Sequence, residues 1–208
     1  AGLIISGIFP NPIPYADFIT GTTQKTLLGP RGGFILCKKE HQEKIDRAVF
    51  PGLQGGPSLN TIAAKAIAFN LVAQPGFTDY TKKAVATAKS MARTFEKLGY
   101  RVVSGGTDSH LFVIDLSPQK CTGRVAEKLL ERAGIFVSRS AIPFDYQKPL
   151  ITSGIRLGTL AFTARNLPLE TALRSVELID ELLRNKEDET AINSVAQEVR
   201  TLATQSVL

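Results

Sequence analysis

The sequence predicts a mixed helix-and-strand fold that ends in a compact α+β domain. Three observations carry this. Short apolar runs suited to strands, FILC at 34–37 and HLFVIDL at 110–116, stand beside long stretches spaced like helices, 58–73 and 78–98. After Gly99 the elements become short, and strand-like runs alternate with a helical one. Two further helical stretches, 167–183 and 189–202, then close the pattern.

Taken in order, residues 8–20 (IFPNPIPYADFIT) hold three prolines, each of which pushes its predecessor toward extended backbone, so the segment predicts an extended approach into a strand at 17–20. A threonine-rich loop follows. Gly32-Gly33 introduces the strand 34–37, which reads as buried, and KKEHQEKIDRAVF (38–50) spaces Ile45, Val49 and Phe50 like a helix. PGLQGGP (51–57) breaks it as a loop. Ser58 is the expected N-cap of an alanine-rich helix to Ala73. Beyond a Pro75-Gly76 break, the amphipathic helix 78–98 brings Ala84, Ala88, Met91, Phe95 and Leu98 onto one face as core residues. RVVS (101–104) and HLFVIDL predict strands, 122–133 a helix, and IFVS (135–138) and SGIRLGT (153–159) two more strands. The acidic link NKEDE (185–189) reads as a solvated turn. A domain boundary near Gly76 divides the chain into 1–75 and 76–208.

At 208 residues, 43% of them hydrophobic, the chain is long enough to bury a core of its own. Its net charge of +6 would suit an anionic partner, but Lys and Arg are interspersed with acidic residues and no basic run exceeds two, which argues against nucleic acid. Cys37 and Cys121 give neither a disulfide framework nor a metal-ligand spacing, so a reducing, cytoplasmic setting and no metal are expected. No apolar run reaches the roughly 18 residues of a membrane span. His41 falls in a charged helix and His110 at the head of an apolar strand, and neither is assigned a role. The apolar opening, residues 1–5 without an initial methionine, reads as a cut chain.

The chemistry concentrates in TGTTQKTLLGPRGG (20–33), where Lys25 stands on a polar loop just beyond a strand, the end at which α/β sheets place ligands. A lysine there can condense with an aldehyde if its amine is made accessible in neutral form. Read alone, it is a surface lysine. In PGLQGGP, Gly55 and Gly56 allow backbone amides to approach an anion, backed by the helix beginning near Ser58. Arg156, between two glycines on a strand, can meet a carboxylate with two parallel hydrogen bonds.

The segment 20–33 resembles the active-site signature of serine hydroxymethyltransferases, which use pyridoxal phosphate (PLP). NPIPYADFIT, VFPGLQGGP with TIAAKA, DSHLFVIDL, IPFD and SGIRLGT are similar to the same family in the same order. The resemblance implies an aspartate-aminotransferase-like α/β architecture, with 1–75 as the C-terminal part of the PLP-binding large domain and 76–208 as an α+β small domain. It implies that Lys25 is the Schiff-base lysine, that Thr22 helps handle the substrate, and that Arg31 and the backbone of Gly55 and Gly56 serve the cofactor. The phosphate reached by Gly56 would belong to a neighbouring subunit, so a homodimer or tetramer is implied. Arg156 would bind the carboxylate of serine or glycine, and Ser140 with Lys148, Pro149 and Leu150 would face tetrahydrofolate.

Three positions depart from the family pattern. Gln24 stands where a histidine precedes the lysine, Ser138-Arg139-Ser140 replace Asn-Lys-Asn, and Asn60 replaces a histidine. Gln24, among the catalytic candidates, bears on reaction type because an amide does not titrate near neutrality. The expected activity is hydroxymethyl transfer between serine and tetrahydrofolate. A folate-independent PLP threonine aldolase or transaldolase, and a non-catalytic oligomerisation module, are the alternatives. The family's N-terminal half, which supplies the ring-stacking and pyridinium-pairing groups, is an expected partner, and the chain alone is expected to be inactive.

Overall fold

The structure, a computed structural model, describes residues 1–204 and divides into two compact units, Ala1–Lys82 and Lys83–Leu208. The first opens with a single helical turn, α1 (Gly2–Ile5). A tight turn at Ile13–Tyr15 leads into β1 (Phe18–Thr22), which pairs antiparallel with β2 (Gly33–Cys37) in the register Phe18↔Cys37 to Thr22↔Gly33. The two strands therefore hold both ends of the lysine-bearing loop together.

β2 is not the buried strand that its composition suggests: Ile35 and Leu36 remain 44% and 49% exposed. The helix expected over 38–50 is cut short. A turn at Lys39–His41 precedes α2 (Gln42–Arg47), and Ala48–Leu53 forms a wider turn in which Phe50 and Pro51 leave helical geometry. Proline has no N–H to continue the ladder. α3 (Leu59–Val72) buries Ala68 and Val72 but leaves Leu59, Ile62, Ile67, Phe69 and Leu71 exposed, so its apolar residues do not gather on one face. A small core of Leu27, Val72 and Phe77, flanked by Phe34 and Tyr80, underlies the loop.

α4 (Pro75–Lys97) begins at Pro75 itself and not beyond a break at Pro75-Gly76, because the first turn of a helix needs no N–H there. The division between the units falls within it. Its later turns carry the predicted core face: Ala84, Ala88, Met91 and Phe95 are buried, and Leu98 packs against the same core.

The second unit adds β3 (Arg101–Val102), β4 (Leu111–Asp115), α5 (Gly123–Arg132), β5 (Ser138–Ser140), β6 (Gly154–Gly158), α6 (Leu160–Ala164), α7 (Leu169–Arg184) and α8 (Glu189–Thr204). Its sheet has the order β3-β4-β6-β5 with antiparallel pairing throughout. Phe112, Ile114, Ile155 and Leu157 enter one core with Ala126, Leu129 and Leu130 of α5 and Val176, Ile179, Leu182 and Leu183 of α7. Thr122 caps α5 by accepting from the Val125 amide at 3.3 Å.

Two strand expectations shift here. RVVS keeps only two strand residues, because Ser104 adopts φ 66° in the turn that follows. IFVS gives way to Ser138–Ser140: Ile135 and Val137 pack against the core, and the ladder begins after them. Among the described residues no helix is long and apolar enough to cross a membrane, and no cluster of His, Cys, Asp and Glu could hold a metal.

Candidate active site

Lys25 follows the last residue of β1 by three positions, in a loop organised around Thr23. Thr23 is fully buried. Its hydroxyl donates to the Pro30 carbonyl at 2.5 Å, its amide to Gly32 O at 3.0 Å, and its carbonyl accepts from Gly29 N at 2.9 Å. Thr26, also buried, accepts from the Gly2 amide at 2.9 Å. A Cβ on Gly2 would stand 2.2 Å from the Thr26 carbonyl oxygen, so only glycine allows that approach. Leu27 anchors the loop in the core beneath. With these side chains turned inward, the side chains of Lys25 and Arg31 are left exposed, with no hydrogen bond or ion pair to the described residues, and Thr22, at the end of β1, is half-buried.

Gln24 uses its Oε1 to accept from the Gly32 amide at 3.2 Å, bracing the Gly-Pro-Arg-Gly-Gly turn. Lys65 of α3 supports the same turn through Gly33 O at 3.1 Å, and a Cβ on Gly32 would lie 2.7 Å from its Nζ. Thr23, Thr26 and Lys65 escape a reading by motif. A run of threonines signals polarity, whereas burial separates the structural hydroxyls from the outward ones.

The 51–57 loop presents Gly55 and Gly56, where a Cβ would meet nothing within 4 Å. Their backbone is open to an approaching group. Ser58 occupies the N-cap position of α3 without capping it; its hydroxyl lies 2.5 Å from Asn60 Oδ1. The first amides of α3 are thus not taken by that side chain.

In the second unit, Arg156 pairs with Val113 on β4 and with Ser138 on β5, while Gly154 pairs with Ser140. Directly paired residues point to the same face of an antiparallel sheet, so Arg156, Ser138 and Ser140 share the face opposite Ile155 and Leu157. The Arg156 side chain is exposed, and its guanidinium has no hydrogen bond or ion pair among the described residues. Burial holds the nearby His110 imidazole below its ordinary pKa, with the Arg156 guanidinium adding to the effect, so it is neutral at pH 7. Its Nδ1 is buried without a hydrogen-bond partner among the described residues. Among the described residues the Ser140 hydroxyl makes only a 3.4 Å contact to Ala141 O, and Lys148, Pro149 and Leu150 are exposed in the loop between β5 and β6. The structure thus brings Gln24, Lys25 and Arg31 onto one loop with Thr22 at the end of the strand that leads into it, and Ser140 and Arg156 onto one sheet face.

A sequence profile described as serine hydroxymethyltransferase matches residues 1–179, which is most of the chain. The chain belongs to the serine hydroxymethyltransferase family. Proteins of this family are PLP-dependent transferases of one-carbon metabolism that act on serine or glycine with folate. The hydroxymethyltransferase loop fits the cofactor in its donor chemistry: Lys25 offers an amine that no neighbouring carboxylate or carbonyl engages, and Gly55 and Gly56 offer backbone that no side chain covers.

Proposed function

We propose that this chain carries the cofactor-holding lysine and the carboxylate-binding arginine of a PLP-dependent serine hydroxymethyltransferase. The reaction is reversible: serine and tetrahydrofolate give glycine and methylenetetrahydrofolate. The observation that carries the reading is Lys25, exposed and unpartnered on a loop whose neighbouring threonines are fixed inward.

PLP, when bound, supplies an electron sink that weakens the bonds at the amino acid's Cα. The remaining work falls to residues of this chain. Lys25 Nζ would be the amine that holds the cofactor through its aldehyde and would take or return a proton there. The Thr22 hydroxyl both donates and accepts, which suits a group guiding that proton. Gln24 keeps the Lys25 loop closed through Gly32, and Arg31 adds a fixed positive charge on the same turn. Amides of Gly55 and Gly56 receive a phosphate, which in this reading belongs to a second copy in a homodimer or tetramer. Arg156 grips the amino-acid carboxylate with two parallel hydrogen bonds. Ser140 and the Lys148–Pro149–Leu150 stretch face the folate. In domain terms, 1–75 act as part of the PLP-binding large domain and 76–208 as the small domain.

Two measurements test the proposal on the intact protein that carries this chain. Borohydride reduction in the presence of PLP, followed by peptide mapping, is expected to fix pyridoxal on Lys25. Label on another lysine, with Lys25 unmodified, removes the assignment. Serine cleavage is expected to run much faster with tetrahydrofolate than without it. Rapid threonine cleavage with no response to folate would replace the transferase reading with a folate-independent aldolase or transaldolase.

A further inference from the structure

The segment 141–153 joins β5 to β6 without helix or strand of its own. Of its apolar side chains, Phe144, Tyr146 and Leu150 are exposed and contribute little to holding it, and Ile142 and Ile151 are only half-buried. The bonds of Asp145 fill that role. Oδ1 accepts from the Gln147 amide at 2.9 Å and the Ser153 hydroxyl at 2.7 Å, and Oδ2 accepts from the Ser153 amide at 2.9 Å and the Ile142 amide at 3.3 Å. Ile142 lies just past the end of β5, and Ser153 lies just before β6. Four donors converging on two oxygens call for a group that only accepts. An asparagine in the same place would turn an NH₂ toward amide donors. Burial pushes the Asp145 carboxyl pKa up, but the bonds from Ser153, Gln147 and Ile142 prevail and bring it to about 2, so the group is ionised across the neutral range.

The consequence concerns register. β5 has three residues and three paired positions, Ser138↔Arg156, Arg139↔Ile155 and Ser140↔Gly154. A ladder that short specifies its register weakly, and a slip of one residue would turn Ser138 and Ser140 away from the Arg156 face. On the far side, Thr152 O and Ile151 O accept from Gly123 N and Arg124 N at the start of α5, at 2.9 and 3.0 Å. The beginning of β6 is therefore fixed, and Asp145 ties the end of β5 to it.

We propose that Asp145 is a positioning residue whose carboxylate sets the register of β5 on β6, and so the placing of Ser140 and Ser138 beside Arg156. The proposal rests on the function proposed above for what binds there, and its test separates the two. In the intact protein, Asp145→Asn is expected to weaken glycine binding, read from the cofactor's absorbance, by about tenfold and to raise the folate KM similarly. The saturated kcat should stay within about twofold, and Lys25 labelling should be unchanged. Ser153→Ala, which removes one of four donors, should produce a smaller shift of about threefold. Amide exchange should accelerate over 138–142 and at Ser153 in Asp145→Asn, while Phe112 and Ile114 keep their protection. Unchanged glycine affinity, or loss of Lys25 labelling together with loss of glycine binding, overturns the positioning role. If the wild-type protein does not bind glycine, the function proposed above fails. The exchange pattern then decides alone, and unaltered exchange at 138–142 rejects Asp145 as the clasp.

Discussion

Arg156 has five N–H donors and gives none of them to the described residues. Gly158, two residues on and on the same face, leaves that side of the strand open, and Ser138, across the ladder, has only a short side chain. A guanidinium so placed can take a carboxylate in a fork, with the strand backbone fixing its base. Arg156→Ala is therefore expected to raise the KM for serine by about 10- to 100-fold, the loss of a charge-assisted pair worth ~1.5–3 kcal/mol. Arg156→Lys should fall between, since an ammonium restores the charge but not the planar pair of donors. An unchanged KM in both variants would remove Arg156 from substrate recognition. Thermal stability should hardly move, because the guanidinium makes no hydrogen bond or ion pair among the described residues. The charge, the glycine flanks and the motif of Arg156 were legible in the sequence. Its shared face with Ser138 and Ser140 was not, because register between β5 and β6 is a property of pairing and not of either strand alone.

Helices α4, α5 and α7 were legible because their apolar spacing repeats over turns, and β2, β4 and β6 from their apolar runs, while the bounds of β3 and β5 were not, because two or three residues carry too little pattern. IFVS reads as a strand by composition, yet Ile135 and Val137 bury themselves ahead of the ladder, and the paired residues are the polar Ser138–Ser140. Antiparallel order in the second unit was equally hidden, since β6 lies between β4 and β5 in space and after both in sequence. Capping divides in the same way. Thr122 and Ser58 both precede a helix, but only Thr122 accepts a helix amide, from Val125, while the Ser58 hydroxyl is turned to Asn60. Thr122→Ala is expected to cost about 1 kcal/mol in urea unfolding of the chain. Ser58→Ala should stay within ~0.5 kcal/mol. Equal losses would mean that cap position, rather than cap hydrogen bonding, governs these two helices.

The two units differ in how much apolar surface they bury within themselves. The second gathers Ala88, Met91, Phe95, Ile114, Leu130, Ile155, Val176 and Leu182, among others, into one core from helices and sheet together. The first has Leu27, Val72 and Phe77 at its centre, with Phe18, Phe50, Leu53, Leu59, Ile62 and Ile67 exposed. Local opening is cheapest where few apolar contacts must be broken. Hydrogen exchange of the 208-residue chain should therefore be slowest at the amides of β4, β6 and α7, and faster over β1, β2 and α3. The loop around Lys25 is the discriminating case. Its Thr23, Gly29 and Gly32 amides are hydrogen-bonded, yet they sit on the smaller core, so their protection reports the stability of that core and not the number of bonds in the loop. Exchange there as slow as at Phe112 and Ile114 would contradict the argument. Binding PLP in the intact protein should slow those same amides, because a ligand that binds only the closed loop stabilises it by mass action. Protection gained only in β4 and β6, with none at Thr23 to Gly32, would place the cofactor away from Lys25.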